Sequence, residues 1–122
     1  MSTLPGSYNG GFLGHRVGAI ILAAGCSRRM NGVDKLFLHL LGMPLLSYTL
    51  EAFQAVPAIQ DVVLVLNRSN LELGRALVIE QRFRKVTHMG LGGQRRQDSV
   101  RAGLEMLPPC DWVVIHDGDR PC

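Results

Sequence analysis

The segment from Leu22 to Lys35 combines small residues with several positive charges. Its sequence is LAAGCSRRMNGVDK, and it directly follows an apolar run that begins at Val17. Because Ala23, Ala24 and Gly25 carry little or no side-chain bulk, their backbone N–H groups can approach a phosphate or a base closely. A nucleoside triphosphate requires that approach, together with cations that match its charge. The segment is therefore a candidate triphosphate-binding loop after a buried strand.

Three cations follow the small residues within the same loop. Arg29 could chelate two phosphate oxygens at once, whereas Lys35 would act as a movable point charge. The spacing matches neither the G-x-x-x-x-G-K-[ST] loop nor the G-x-G-x-x-G fingerprint. Composition alone leaves a solvated basic loop with a glycine turn as an alternative interpretation.

A second segment, Gly92 to Val100, has the sequence GGQRRQDSV. The two glycines free the backbone, and the helix predicted after them offers an N-terminus that favours anions. Ser99 could donate to a base or a sugar. The structural alternative is that Asp98 or Ser99 simply caps the helix.

A third segment, His116 to Pro121, has the sequence HDGDRP. Asp117, at the end of a buried strand, is well placed to hold Mg²⁺ against a triphosphate, and Arg120 could bind a second anionic substrate. Asp119 would share a side with Asp117 on an extended chain. The alternative is a glycine-containing turn with an Asp–Arg ion pair.

The histidines have no zinc spacing, and each is interpreted as a satisfied structural residue.

Apolar periodicity predicts the elements that position these segments. The predicted strands are Val17–Ala24, Asp61–Leu66, Lys85–His88 and Trp112–His116. The predicted helices are Pro44–Ala55, Leu71–Gln81 and Asp98–Leu107, with a turn at Leu91–Gly93. This alternation predicts an α/β fold, a Rossmann-like three-layer α/β/α arrangement with a mostly parallel sheet. Ligands of such sheets bind outside the carboxyl ends of the strands, which is where all three segments lie.

Composition narrows the class of protein. The 122 residues suffice for one domain with a single core, and 47% hydrophobic residues indicate a globular chain. The net charge of +3 favours anionic ligands, but the cations form no continuous tract, so a nucleic-acid partner is not supported. No apolar run is long enough for a membrane span. The cysteines, Cys26, Cys110 and Cys122, lack metal-ligand spacing and are typical of reduced cytoplasmic thiols.

Taken together, the three segments resemble the 2-C-methyl-D-erythritol 4-phosphate cytidylyltransferase family of the non-mevalonate isoprenoid pathway. The matching stretches are Ala23–Met30 with Lys35, Gly92–Leu104 and Trp112–Pro121. The first is shared with other nucleotidyltransferases, whereas the second combined with His-Asp-x-x-Arg-Pro is far more specific. The resemblance implies an enzyme that transfers CMP from CTP to 2-C-methyl-D-erythritol 4-phosphate and releases pyrophosphate. It also implies Mg²⁺ or another divalent cation as cofactor, CTP and a polyol phosphate as partners, and a cytoplasmic homodimer for the full-length parent.

The same resemblance implies roles for particular residues. Arg29 and Lys35 would be catalytic, because they would grip the triphosphate and stabilise charge at the α-phosphorus. Asp117 would bind the metal and lie near the ribose, and Arg120 would bind the methylerythritol phosphate, often at a dimer contact. The residues implied to bind the nucleotide are Ala23, Ala24, Gly25, Ser27, Gly93, Arg96 and Ser99.

Residues 17–122 are expected to form the N-terminal part of a nucleotidyltransferase domain. Residues 1–16 are rich in glycine and small polar residues, and are interpreted as a disordered leader, an upstream extension or a cloning remnant. Because the sequence stops just after the last predicted strand, we expect a fragment of a longer enzyme. Gly118 and Asp119 stand where the family usually has two small residues, and the extra carboxylate there could add a metal contact or repel the phosphate substrate.

Three alternatives stay open. The sequence from Ser27 to Lys35 also suggests a molybdopterin guanylyltransferase, although the His-Asp-x-x-Arg-Pro ending argues against it. A ribitol-5-phosphate cytidylyltransferase is compatible with all three segments. A nucleotide-binding fragment without catalysis is the alternative from a different functional class.

Overall fold

A five-stranded sheet forms the centre of the fold, with helices on both faces. The computed structural model describes residues 2–5, 15–25, 29–30, 33–34, 39–40 and 43–118, with side chains for 15–25 and 44–118. Its strands are β1 (Ser2–Pro5), β2 (Val17–Leu22), β3 (Arg29–Met30), β4 (Val33–Asp34), β5 (His39–Leu40), β6 (Met43–Pro44), β7 (Ile59–Leu66), β8 (Val86–Leu91) and β9 (Trp112–Asp117). Its helices are α1 (Leu45–Gln54), α2 (Leu71–Glu80) and α3 (Arg96–Met106).

The strand order of the central sheet is β1-β9-β2-β7-β8. The strands β9, β2, β7 and β8 are mutually parallel, and β1 adds to the outer side of β9 in the antiparallel direction. In the middle of the sheet, Ile20 lies opposite Val63 on one side and Ile115 on the other. The predicted α/β fold with a mostly parallel sheet is therefore confirmed.

The central strands are buried on both faces because their side chains alternate between two cores. Ile21 packs beneath α1 and α2, where Leu50 and Leu77 cover it. Ile20 points to the opposite face, where Val100 of α3 packs against it. This division produces the three layers and explains why β2 and β7 read as uninterrupted apolar runs.

Helix α3 lies unusually close to the sheet at Gly103. A Cβ atom built at this glycine would lie 2.6 Å from Cγ2 of Ile20, which is closer than real carbon contacts allow. The missing side chain therefore sets the distance between helix and sheet. Because the helix is rigid, the same contact helps to position its N-terminus above the carboxyl ends of the strands.

The third predicted strand ends later in the structure than the sequence indicated. The strand expected at Lys85–His88 is observed from Val86 to Leu91, so the predicted turn begins only at Gly92. Gly90 lies within the observed strand and makes room for Met106: a Cβ built at Gly90 would lie 2.6 Å from the Met106 sulfur.

Residues 2–5 lie within the segment that was expected to be a leader, an extension or a cloning remnant. Residues Ser2–Pro5 form β1 and pair with Trp112–Ile115. The open edge of β9 offers backbone hydrogen bonds to almost any extended segment. The interpretation as an upstream extension stays a prediction.

Among the helices of the described residues, none has the length and apolar character needed to cross a bilayer.

Candidate functional site

The loops after the central strands begin side by side at one end of the sheet. Ala23 donates its N–H to Val65 O at 2.7 Å, and Gly118 donates its N–H to Leu22 O at 2.8 Å. Gly92 makes the equivalent bond to Leu66 O, also at 2.8 Å. These bonds extend the strand pairing by one residue, so the beginnings of all three predicted segments are fixed relative to one another.

The first two segments touch at Gly92. A Cβ built at this glycine would lie 2.8 Å from the Ala24 Cβ, 2.7 Å from a Val65 methyl carbon and 2.3 Å from the Ser99 Oγ. No side chain fits in that space, so glycine is required by close approach. Ala24 and Ser99, both predicted to bind a nucleotide, therefore lie against the same glycine.

Several backbone donors are available at this end of the sheet. The N–H groups of Ala24, Gly25 and Gly93 have no acceptor among the residues that the structure describes. Gly25 is exposed, and nothing lies within 4 Å of a Cβ built there. Adjacent unpaired N–H groups in an open concavity form the kind of surface that binds phosphate oxygens.

Two asparagines that the sequence analysis did not select hold this loop. Asn67 Nδ2 donates to Ala24 O at 3.0 Å, and Asn70 Nδ2 donates to Ala23 O at 3.1 Å. Asn70 is buried, with 1% of its surface exposed. The signal that could have revealed them is their position directly after the buried strand β7, at the same end of the sheet as the three segments.

The start of α3 differs from the predicted cap. The helix begins at Arg96, and the residue before it, Arg95, is in extended conformation. Asp98 lies in the first turn, where its carboxylate accepts from the Arg95 backbone N–H at 3.4 Å and from Arg95 Nε at 3.2 Å. Neither Asp98 nor Ser99 is therefore the N-cap residue; Asp98 stabilises the turn from inside the helix, and the neighbouring Arg95 guanidinium lowers its pKa.

Ser99 is buried and lies at the floor of this site. Its hydroxyl donates to Gly93 O at 3.4 Å, across the turn that joins β8 to α3. This bond links two of the predicted nucleotide-binding residues directly. The bond is long, so the hydroxyl can be redirected toward a ligand at little cost.

The second and third segments are joined by an ion pair. Arg96 Nε lies 3.2 Å from Asp117 Oδ1, and their side chains are 56% and 27% exposed. The predicted alternative for Asp117 was an ion pair within its own turn, but the observed partner comes from the start of α3. The pair holds a cation and a carboxylate beside the backbone donors, where both can reach a ligand.

The described residues contain no group of three or more histidine, cysteine, aspartate or glutamate side chains that could enclose a metal ion. Asp117 is the predicted metal ligand, and one of its oxygens faces Arg96. A lone carboxylate of this kind suits Mg²⁺, which is commonly held by one or two carboxylates together with substrate phosphates.

Part of the predicted site lies outside the described residues. The residues that the structure does not describe include Ser27, Lys35, Asp119 and Arg120. Arg29 is described by its backbone, which belongs to β3 and pairs with Asp34 of β4 in an antiparallel ribbon. The roles predicted for these side chains therefore stay predictions.

His116 was expected to be a satisfied structural residue. Its ring packs against Phe53 with centroids 5.5 Å apart, but its Nδ1 is buried and has no hydrogen-bond partner among the described residues. The ring thus contributes to the core beside α1, and the expectation that its polar atoms are satisfied is wrong for Nδ1. The residue points to the opposite side of β9 from Ile115, so it supports the strand that carries Asp117.

The chain is similar to proteins of one described family. The family model described as 2-C-methyl-D-erythritol 4-phosphate cytidylyltransferase matches residues 17–122. A protein of that name from Dehalococcoides mccartyi is 52% identical over 110 residues, which are 90% of this chain and 48% of the relative. One from Geobacillus thermodenitrificans is 43% identical over 104 residues, which are 84% of this chain and 46% of the relative.

A solved structure agrees with this result. The 4-diphosphocytidyl-2C-methyl-D-erythritol synthase from Anaerococcus prevotii superposes with a TM-score of 0.73 at 27% identity, and the match covers 89% of this chain and 45% of that one. The chain therefore spans about half the length of the curated relatives it matches.

Proposed function

Because this chain belongs to the 2-C-methyl-D-erythritol 4-phosphate cytidylyltransferase family, we propose that it forms the nucleotide-binding part of an enzyme that transfers CMP from CTP to 2-C-methyl-D-erythritol 4-phosphate. Pyrophosphate is the second product. In this proposal the reaction belongs to isoprenoid precursor biosynthesis, and the acceptor phosphate is bound with the help of Arg120.

One observation carries the proposal. Unpaired backbone donors of Ala24, Gly25 and Gly93 share one end of the sheet with the Arg96–Asp117 pair. The donors suit phosphate oxygens, and the arginine suits either a phosphate or the polar edge of a base. Ser99 beneath them supplies a neutral hydroxyl, which suits a base or a ribose. The combination fits a nucleotide better than an isolated inorganic anion.

The reaction needs positioning more than acid–base chemistry. A phosphate oxygen of the polyol phosphate attacks the α-phosphorus of CTP, and the bond from that phosphorus to the bridging oxygen of pyrophosphate breaks in line. The electron pair of the broken bond leaves with pyrophosphate. Because the attacking oxygen is already anionic, no strong general base is required. The N–H groups of Ala24 and Gly25 orient the triphosphate, while Arg29 and Lys35 neutralise charge as it develops.

Asp117 would hold Mg²⁺ or another divalent cation in this proposal. Its carboxylate lies at the end of β9, beside the backbone donors that bind the triphosphate, and 27% of the side chain is exposed. When bound, the cation supplies charge neutralisation for the phosphates. Asp117 would then exchange its contact with Arg96 for a contact with the cation, which frees the guanidinium for the nucleotide.

A pyrophosphate-release assay tests the function. The protein is supplied with CTP or GTP and with methylerythritol phosphate, ribitol 5-phosphate or inositol 1-phosphate, each with and without Mg²⁺. We expect release with CTP and methylerythritol phosphate in the presence of Mg²⁺. Faster release with ribitol 5-phosphate would reject the proposed acceptor, and preference for GTP would reject the proposed nucleotide.

Lys35→Met tests the catalytic assignment within that assay. We expect kcat to fall by about 100-fold or more, with a smaller loss of CTP affinity, because a charge that acts mainly on the transition state contributes little to ground-state binding. Lys85→Met is the matched control, since Lys85 donates to Val56 O, remote from this site, and its removal should leave kcat unchanged. A near-normal kcat in Lys35→Met would contradict the assignment.

We also propose that the full-length protein is a homodimer, because Arg120 is expected near a dimer contact. Sedimentation equilibrium measures this directly. A monomer at the concentrations used for the activity assay would reject the dimer and leave the nucleotide-binding proposal standing.

A further inference from the structure

The connection between β7 and α2 forms a turn that is ordered by its own side chains. Asn67 Oδ1 accepts from the backbone N–H groups of Ser69 and Asn70 at 2.9 and 3.0 Å. Asn70 Oδ1 accepts in return from the Asn67 N–H at 2.8 Å. The amide oxygens of both asparagines are therefore used within the turn.

This use of the oxygens fixes the direction of the amide nitrogens. Asn67 Nδ2 donates to Ala24 O and Asn70 Nδ2 donates to Ala23 O, so each side chain binds its own turn with oxygen and the neighbouring loop with nitrogen. Rotating either amide by half a turn would place its oxygen against a carbonyl oxygen and lose bonds on both sides. The two side chains thus form a bridge with a single favourable orientation.

The bridge acts on the ligand side through the geometry of the peptide bond. A trans peptide is planar, and its C=O and N–H groups point in opposite directions. Holding Ala23 O therefore directs the N–H of Ala24 away from Asn70, and holding Ala24 O directs the N–H of Gly25 away from Asn67. The structure contains no cis peptide bond among the described residues, so this relation applies at both positions.

We propose that Asn67 and Asn70 are positioning residues for the triphosphate: they hold the loop so that the N–H groups of Ala24 and Gly25 face the ligand before it binds. The inference rests on the proposed function. A loop of small residues has many accessible conformations, and ordering it on binding would weaken affinity. The bridge orders the loop before the ligand binds, so this loss of conformational entropy no longer weakens binding. The turn that carries the two asparagines need not itself contact the nucleotide.

The test compares Asn67→Asp with Arg68→Gln. An aspartate at 67 keeps an oxygen for the Ser69 and Asn70 N–H groups but cannot donate to Ala24 O. Arg68→Gln changes the net charge of the same turn by one unit in the same direction, at an exposed residue, without removing the bridge. Two quantities are measured in each protein: the ¹⁵N order parameters of Ala24 and Gly25 without nucleotide, and the Kd of CTP by calorimetry.

In Asn67→Asp we expect the two order parameters to fall from about 0.85 toward 0.6, and the Kd of CTP to rise about tenfold. Arg68→Gln should keep the order parameters and change the Kd by less than about twofold, because an exposed charge in salt is largely screened. Asn67→Ser is the second variant, since serine adds no charge and can still cap the turn but is too short to reach Ala24. It should reproduce both changes even if Asn67→Asp does not fold.

Unchanged order parameters in the folded variants would overturn the proposal. A variant with lowered order parameters that still binds CTP with native affinity would also overturn it. An equal loss of affinity in Arg68→Gln would also overturn it, because charge and not the bridge would then be responsible. If the unaltered protein binds no CTP, the proposed function fails. The order parameters then still decide whether the asparagines hold the loop.

Discussion

The two ends of the parallel sheet carry similar polar residues and use them differently. At the amino ends, polar groups bind one another. Arg16 donates its backbone N–H to Asp111 Oδ2 at 2.7 Å and its guanidinium to Asp61 Oδ2 at 3.3 Å. Thr87 Oγ1 donates to the other Asp61 oxygen at 3.2 Å, and Arg16 O accepts from the N–H groups of Asp111 and Trp112. At this end of the sheet, these polar groups therefore satisfy one another by hydrogen bonds.

At the carboxyl ends, polar side chains orient the backbone but leave donors open. The Asn67 and Asn70 amides bind the carbonyls of the first loop, while the N–H groups on the other side of those peptides have no described acceptor. The Arg96–Asp117 distance of 3.2 Å resembles the Arg16–Asp61 distance of 3.3 Å, yet Asp117 is 27% exposed and Asp61 16%. An ion pair as such therefore does not distinguish the structural end from the proposed binding end; the neighbouring unpaired donors do.

Replacing Asp117, at the carboxyl end of the sheet, should have the largest effect, and this effect should be on activity and not on stability. Asp117→Asn should lower turnover by about 100-fold or more, because the residue loses the charge that would hold a divalent cation. Its free energy of unfolding should change by less than about 1 kcal/mol, since the pair with Arg96 is partly exposed to solvent. Steady-state pyrophosphate release and urea unfolding measure the two effects. A variant that is strongly destabilised would show that Asp117 belongs with the structural residues.

A pair of glycine substitutions tests which part of the binding end is packed and which is open. Gly92→Ala should lose about 1–3 kcal/mol of stability and weaken CTP binding, because its Cβ has no room between Ala24, Val65 and Ser99. Gly25→Ala should keep its stability within about 0.5 kcal/mol, since nothing surrounds its Cβ, but should weaken CTP binding by occupying the ligand's place. Thermal or urea unfolding and CTP titration give the comparison. Equal stability of the two variants would contradict it.

The amino end should respond in stability alone. Asp111→Ala removes a side chain that is 4% exposed and leaves the Arg16 N–H without its acceptor. The expected loss is about 1–2 kcal/mol of unfolding free energy, with no change in CTP affinity. Urea unfolding and calorimetric titration at saturating Mg²⁺ provide the measurement. Weaker CTP binding in a folded Asp111→Ala protein would mean that the two ends are coupled.

The smallest expected effect concerns Asp98 at the start of α3. The Arg95 guanidinium lowers the pKa of this carboxyl below its ordinary value of 3.8. A lowered pKa in the folded state means that the carboxylate contributes stability above that ordinary value and loses the contribution as the pH falls through the folded pKa. Carboxyl ¹³C shifts recorded during an acid titration should show that Asp98 is protonated at a lower pH than an ordinary aspartate. In Arg95→Gln the pH of the Asp98 titration midpoint should rise. An unmoved midpoint would remove Arg95 as the cause.

Much of the fold could be predicted because the signal is local. The apolar runs around Ile20 and Leu64 are typical of strands buried on both faces of a parallel sheet, and each is followed by a segment of helical periodicity. The limits of the elements were less predictable where a glycine serves packing. Gly90 makes room for Met106, a residue of another element, and no periodicity within β8 reveals that contact.

For the candidate site, the sequence determined the residue types. The relevant features are local and can be recognised in the sequence alone. They are the small residues and cations after β2, the glycines before α3 and the aspartate that ends β9. The tertiary structure alone decided their arrangement: that Ala24 and Ser99 meet at Gly92, that Asp117 pairs with Arg96, and that Asn67 and Asn70 hold the first loop. The Arg96–Asp117 pair and the two asparagine bonds join residues that lie 21 to 47 positions apart, and Ala24 and Gly92 are still farther apart in sequence. These contacts depend on strand order and register, which are set by the packing of the whole sheet and are not encoded in any one segment.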